Sequence, residues 1–230
     1  MPTLNFAPPA NSAQKTARVI IVEDYPVVRD ALAQMLNATP GFAVVAAVGD
    51  VNGARECVKR EKPDVLVLDL MLGGTDALGL ITELSEAQQT LKILVLSMMN
   101  EVIYAERALR AGAIGYVMKT AETAEVVNAL KSVLDGRVYL SPRIFVGMFR
   151  GLLKRSPKHS LPGTEGLSDR ELQIFQLIGA SIPNRDIATQ LGISVKTVET
   201  HRENLKNKLG IQDGHDLKDA AAIFVNSLVA

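Results

Sequence analysis

Five short apolar runs, each followed by a segment of helical periodicity, constrain this chain more than any other feature. The runs are ARVIIVE (17–23), FAVVAAV (42–48), DVLVLD (64–69), LKILVLS (91–97) and IGYVMK (114–119). Each is too short for a core helix and rich in Val, Ile and Leu, the pattern of strands covered on both faces. Between them, apolar residues recur at spacings of three and four: Val28, Leu32, Met35 and Leu36 early on, then Val126, Val127, Leu130, Val133 and Leu134. Strands alternating with helices demand right-handed crossovers, which predicts an α/β domain with a five-stranded, doubly wound parallel sheet over residues 17–140. In such sheets functional side chains collect beyond the carboxyl ends of the strands.

The pattern then changes. Residues 141–166 carry Pro142, Pro157, Pro162, Gly163 and Gly166 among Arg143, Arg150, Lys154, Arg155 and Lys158. They read as a linker, with a short helix over 144–153 and a flexible stretch after it. From 167 to 230 no strand pattern remains. Ser168 and Glu171 fit a capping box, Pro183 suits a helix start, Gly192 breaks the chain, and Ser194 can cap a third helix running to Leu209. A fourth, from Asp216 to Leu228, offers Leu217, Ala220, Ala221, Phe224 and Leu228 for burial. This predicts a second, all-α domain of four helices with a helix-turn-helix at its centre. The second and third helices would form that motif. Residues 1–16, with prolines and small polar residues, read as a flexible tail and not as a signal peptide.

Bulk properties exclude more than they assign. Hydrophobic residues make up 47% and no uninterrupted run is long enough to span a bilayer, so no membrane segment is expected. The only cysteine, Cys57, rules out an internal disulfide and suits a reducing, cytoplasmic setting; it reads as a buried bystander in a helix. Three scattered histidines leave no plausible zinc site. The formal net charge is zero, so any nucleic-acid contact must come from local charge placement.

The strand ends hold the informative set: Glu23 and Asp24 after the first, Asp69 after the third, Ser97 after the fourth and Lys119 after the fifth. Three carboxylates around one point need a cation, and hard oxygen ligands of this kind suit Mg²⁺. An aspartate can take a phosphoryl group as an acyl phosphate, with lysine and serine as partners for the new oxygens. Any one of these residues alone would read as a solvated charge at a loop. Five matched groups at successive strand ends read as a site.

With VIIVED, DVLVLDL, ILVLS and GYVMK in this order, residues 17–140 resemble the receiver domain of two-component response regulators. The resemblance implies Asp69 as phosphoacceptor, Glu23, Asp24 and Asp69 as Mg²⁺ ligands with the Met71 backbone carbonyl, Ser97 and Lys119 as phosphoryl-binding residues, and Tyr116 as the aromatic that switches rotamer with Ser97. It also implies a sensor histidine kinase as partner. Two positions depart from the family pattern: Gly73 stands where proline is usual and Ala77 where glycine is usual, which bears on loop dynamics and transfer rate but removes no ligand. A phosphatase built on a nucleophilic aspartate would need a second aspartate two residues on; that place is Met71, which cannot transfer a proton. A lasting signal is expected, not an enzyme.

Residues 167–212 resemble the LuxR/NarL-type helix-turn-helix through Leu167, Arg170, Glu171, Ile187, Ala188, Leu191, Ile193, Ser194, Thr197, Val198, His201, Lys208 and Leu209. On the third helix, Val198, Leu205 and Leu209 share one face and should pack inward. By the resemblance Glu199, Thr200 and Glu203 are the base-reading positions, and carboxylates there can accept from cytosine amines. Lys196, Arg202, Lys206 and Lys208 suit phosphate contacts. Ser194 and Thr197 lie at the same helix start. Asn184 and Arg185, on the second helix, read equally as phosphate contacts or as a solvated face. His201 reads as packing, not as a metal ligand. The last helix, through Ala220, Ala221 and Phe224, is either a dimer surface or packing within its own domain.

Together these readings predict a DNA-binding regulator of transcription whose affinity for a double-stranded operator depends on phosphorylation at Asp69, with a homodimer as the phosphorylated form. The unphosphorylated receiver is expected to occlude the recognition helix or the dimer surface. Two other classes remain beside it. The C-terminal domain could bind a protein instead of DNA. A quorum-sensing regulator sharing this C-terminal family would need an aromatic-lined pocket, which a 4% aromatic content does not favour.

Overall fold

The computed structural model describes residues 16–73, 75–146 and 164–227. The expected N-terminal tail, most of the linker and Leu228 lie outside the described residues. Five strands form the main sheet: β1 (Ala17–Val22), β2 (Phe42–Val48), β3 (Val65–Leu68), β6 (Lys92–Ser97) and β7 (Gly115–Met118). Their order is β2-β1-β3-β6-β7 and every pairing is parallel. Two short strands, β4 (Met71–Leu72) and β5 (Thr75–Asp76), pair antiparallel beside the end of β3.

Alternation along each strand sends side chains to two separate cores. Val19, Ile21, Val65, Val67, Leu94 and Leu96 pack against α1 (Pro26–Asn37) and α5 (Thr123–Leu134). Ile20, Val22, Leu66, Leu68, Ile93 and Val95 face α2 (Val51–Glu61), α3 (Ala77–Ala87) and α4 (Glu101–Ala111). Both faces are dry, which is why the strands read as continuous apolar runs. Cys57 is buried in α2. Of the four apolar residues that mark α1, only Leu36 is fully buried, and Val28 is 36% exposed. The chain order reverses between β1 and β3, so a crevice opens there at the carboxyl edge.

Residues 142–146 are helical, with Ile144 buried. Beyond the undescribed stretch come α6 (Asp169–Gly179), α7 (Asn184–Gln190), α8 (Val195–Leu209) and α9 (Gly214–Ser227). Ser168 and Glu171 form the reciprocal capping box at the start of α6, and Ser194 caps α8 by accepting from Thr197 N. Leu172, Ile174, Phe175, Ile178, Ile187, Val198, Leu205, Leu217, Ala221 and Phe224 make the helical core. The Phe175 and Phe224 rings lie 5.5 Å apart. A Cβ at Gly179 would fall 2.3 Å from the Ala221 carbonyl oxygen, so α6 and α9 approach more closely than any side chain permits. Ala221 and Phe224 are therefore packing within their own domain, while Ala220 is partly buried and Ile223, on the other side, is 61% exposed. No helix among the described residues is long and apolar enough to cross a membrane.

Candidate functional site

Glu23, Asp24, Asp69, Ser97 and Lys119 converge at the carboxyl edge, although 96 positions separate the first from the last. Strand register alone accomplishes this. Val22 pairs with Leu68, Leu68 with Val95, and Ser97 with Met118, so the residues that follow each strand share one edge. Asp69 is 4% exposed and Glu23 1%. Ser97 Oγ donates to Asp69 Oδ1 at 2.7 Å, and Met71 N donates to the same oxygen at 3.1 Å. Lys119 Nζ donates to Asp69 Oδ2 at 2.6 Å and lies 2.5 Å from Glu23 Oε2.

The electrostatics are unbalanced. One ammonium faces three carboxylates whose ligand oxygens all lie within 4.8 Å of one another. Burial pushes the Glu23 carboxyl up despite its bond to Lys119. Burial alone would lower Lys119, but Asp69 and Glu23 hold its ammonium above the ordinary range. Asp24 accepts from Gly73 N through Oδ2, while its Oδ1 is buried without any partner. A buried carboxylate oxygen left unpaired is costly. Among the described residues this is the only cluster of its kind, and its all-oxygen donor set fits a small hard cation. Gly73, at φ +53, adopts a left-handed conformation closed to proline, and its amide is the one that holds Asp24. The departure from the family pattern at that position thus has a local role.

Tyr116 points inward: its hydroxyl is buried and donates to Met99 O at 2.8 Å. Met99 N in turn donates to Ser97 Oγ at 3.3 Å. Serine, tyrosine and the loop before α4 are thereby linked.

The second region has the opposite character. Lys196, Glu199, Thr200 and Glu203 are exposed on the outer face of α8, opposite buried Val198 and Leu205. Among the described residues, neither Lys196 nor Arg185 pairs with a carboxylate. Thr200 Oγ1 donates to Lys196 O at 3.0 Å, so its hydroxyl proton is spent on its own helix. Lys206 lies 2.8 Å from Glu203. Lys208 differs from its sequence neighbours: its Nζ donates to Glu171 Oε2 at 2.7 Å and to Gly166 O at 3.3 Å. Its geometry is that of a strut between α8 and α6, not of a free cation. His201 is partly buried, and burial with nearby Arg170 lowers its pKa.

One residue missed by the sequence reading belongs with this group. Lys218, on α9, lines a surface cleft of about 370 Å³ with Ser181, Asn184 and Arg202. Arg202 Nη1 donates weakly to Asn184 Oδ1 at 3.5 Å. Only its placement beside Arg202 distinguishes Lys218 from an ordinary exposed lysine, and no spacing in the sequence carries that.

The outer face of α8 stays exposed although the two domains touch, so in this arrangement the first domain does not cover it. The contact runs through α6 instead.

Residues 19–131 match the family described as "Response regulator receiver domain", and residues 165–221 match "Bacterial regulatory proteins, luxR family". The Fimbriae Z protein of Salmonella typhimurium is 32% identical over 207 residues, covering 90% of this chain and 97% of that protein. The oxygen regulatory protein NreC of Staphylococcus epidermidis is 32% identical over 209 residues, covering 89% and 96%. Among solved structures, a LuxR-family two-component response regulator from an Aurantimonas species is 32% identical with a TM-score of 0.56, covering 60% of this chain and 99% of that one. Salmonella enterica RcsB bound to promoter DNA shares the fold at 22% identity and a TM-score of 0.54, covering 94% and 100%.

Proposed function

Because this chain belongs to the LuxR-family response regulators, with a receiver domain ahead of a LuxR-type DNA-binding domain, we propose that phosphorylation of Asp69 controls how it binds DNA. It is a regulator of transcription and not an enzyme. Residues 17–140 form the receiver, 141–166 the linker and 167–230 the DNA-binding domain. The observation that carries the reading is the environment of Asp69: a buried carboxylate with a hydroxyl on one oxygen, an ammonium on the other, and an unpaired carboxylate oxygen of Asp24 beside it.

An oxygen of Asp69 attacks the phosphorus of a phosphohistidine on a sensor kinase. The P–N bond breaks and the imidazole leaves with its electron pair. Lys119 and Ser97 are placed to take the phosphoryl oxygens, exchanging their bonds to Asp69 for bonds to the new group. Glu23, Asp24, Asp69 and the Met71 carbonyl would hold Mg²⁺, whose charge, when bound, offsets that of the incoming phosphoryl group. Met71 supplies no proton for hydrolysis, so the acyl phosphate persists as a signal.

On DNA, Glu199, Thr200 and Glu203 face the bases of the major groove, while Lys196, Arg185, Arg202, Asn184, Lys206 and Lys218 meet the backbone. Ser194 and Thr197 fix the start of the recognition helix. Two copies bind a double-stranded operator as the phosphorylated homodimer, within the cytoplasm.

The test is labelling by acetyl phosphate on a phosphate-affinity gel. Label that requires Mg²⁺ and disappears in Asp69→Asn is the expected result. An unlabelled wild type, folded and beside an active control receiver, would refute phosphorylation at this site and leave the DNA-binding role standing.

A further inference from the structure

Glu23 and Asp24 are neighbours in the chain, yet both send a carboxylate toward one point. In an extended chain successive side chains leave on opposite faces, so two adjacent carboxylates converge only if the peptide plane between them is turned and held. The carbonyl of that plane is Glu23 O, and it accepts from Arg29 Nη1 at 2.8 Å. Arg29 lies in the first turn of α1, with its own amide bonded to Tyr25 O at 3.0 Å. Its side chain thus reaches back over the loop that leads into its helix. Tyr25, at the start of α1, makes no side-chain cap. The arginine ties the loop to the helix instead.

The other side of this loop rests on the end of β2. Glu23 N donates to Val48 O at 3.0 Å. The next residue, Gly49, leaves the space that the guanidinium occupies: a Cβ there would stand 3.0 Å from Arg29 Nη1, 3.8 Å from Glu23 O and 3.9 Å from Asp24 Cα. Gly49 is not among the glycines in the left-handed region, so no turn calls for it. What a side chain would meet first is Arg29. Beyond the peptide plane, the Asp24 carboxylate is fixed at Oδ2 by Gly73 N at 3.0 Å, and its buried, unpaired Oδ1 is left to face a cation.

The charge of Arg29 works in the opposite sense. A guanidinium beside a cation site repels the cation, so Coulomb energy alone would favour its absence. We propose that Arg29 is a positioning residue for the metal loop. By holding the Glu23 carbonyl it sets the plane from which Glu23 and Asp24 reach one cation, and Gly49 keeps open the space that this requires. This role rests on the Mg²⁺ reading above. It acts through the backbone and needs no contact with the ion or the phosphoryl group. Without the guanidinium the plane is free to turn, and ordering the two ligands then counts against each binding event.

Binding of Mn²⁺ to the full chain, with the free ion counted by electron paramagnetic resonance and Mg²⁺ as competitor, tests this without a phosphodonor. Arg29→Met keeps an unbranched stem and loses the donors. It should weaken the ion about tenfold, the lower end of the loss when a group supporting a metal ligand is removed. Gly49→Ala, which displaces the arginine without removing it, should weaken the ion about two- to threefold and add nothing in the Arg29→Met background. At saturating Mg²⁺, labelling of Arg29→Met by acetyl phosphate should return close to the wild-type rate. General loss of structure would not separate affinity from rate in this way. Equal or tighter Mn²⁺ binding by Arg29→Met would overturn the proposal, tighter binding because the charge then outweighs the grip. A rate that stays low once metal is saturating would overturn it too, by placing Arg29 in the transfer step. Additive losses in the double variant would remove Gly49 from the role. A folded wild type that binds no Mn²⁺ would refute the metal reading itself, and the proposal with it.

Discussion

The acid pocket and the outer face of α8 do their work under opposite physical conditions. In the pocket, Asp69 and Glu23 are buried and Lys119 is largely so, and each bond is made inside a low-dielectric space where charge is expensive. On α8, Lys196, Glu199, Thr200 and Glu203 stand in water, where each charge costs little until a partner arrives. The pocket is assembled from four strand ends distant in sequence, whereas α8 needs only the spacing within one helix. A buried, preorganised site can hold a reactive group in one geometry. A solvated face can be searched and released, which a sequence-reading surface requires.

That contrast predicts unequal penalties. The largest concerns the pocket: Lys119→Ala should slow labelling by acetyl phosphate by about 100-fold, the typical loss when one preorganised charge is removed. Labelling within a few-fold of the wild type would mean that the pocket behaves like a surface, and the comparison would break. Next comes the support beneath α8. Leu205 is fully buried, and Leu205→Ala should cost about 2–5 kcal/mol. Calorimetry should show the DNA-binding domain melting earlier with the receiver transition unmoved.

Smaller effects sharpen the division within α8 itself. Lys196→Ala should reduce the salt slope of DNA binding by about 1, weakening all sequences alike, whereas Thr200→Ala should alter discrimination at one base pair by about 1–3 kcal/mol. Lys208→Ala should leave the salt slope unchanged, because its ammonium already serves Glu171. A reduced slope there would return Lys208 to the group of backbone contacts.

The smallest effect is a pH dependence of the DNA-binding domain. Burial raises Glu171, but Lys208 and Ser168 outweigh it and hold the carboxyl below its ordinary value of 4.5. A depressed carboxylate stabilises fully above that ordinary value, and its contribution is lost as pH falls through the lower folded value. His201, whose folded pKa is also lowered, stays neutral when buried and charges on unfolding, so stability falls below its ordinary value of 6.5. The melting temperature should therefore decline in two stages on acidification. Glu171→Gln should remove the dependence of the lower one, and an unaltered acid limb would remove Glu171 from this role.

Much of the architecture was legible in the residue order because burial imposes period. Strands covered on both faces must be apolar throughout, and Ser168, Glu171 and Ser194 announce helix starts through local hydrogen bonds that need no distant partner. Exposed Val28 marks the limit, since helical spacing says which residues share a face, not how much of that face a sheet will cover. The ends of the strands were equally readable. That Glu23, Asp24, Asp69, Ser97 and Lys119 lie together follows from parallel order with the switch at β1 and β3.

What residue order determined, then, is everything fixed by local periodicity or by a regular sheet: two domains, five parallel strands, a helix-turn-helix, and the membership of an acidic edge. Tertiary structure alone decided which charges are free and which are spent. Lys208 and Lys196 lie twelve residues apart on one helix, yet one is tied to Glu171 and the other is open. Likewise Ala221 and Phe224 lie inside their domain, Lys218 lines one cleft with Arg202, and Arg107 reaches Asp169 across 62 positions. The physical reason is the same in each case. A contact between distant residues depends on the relative placement of whole elements, and a linear pattern carries no record of that placement.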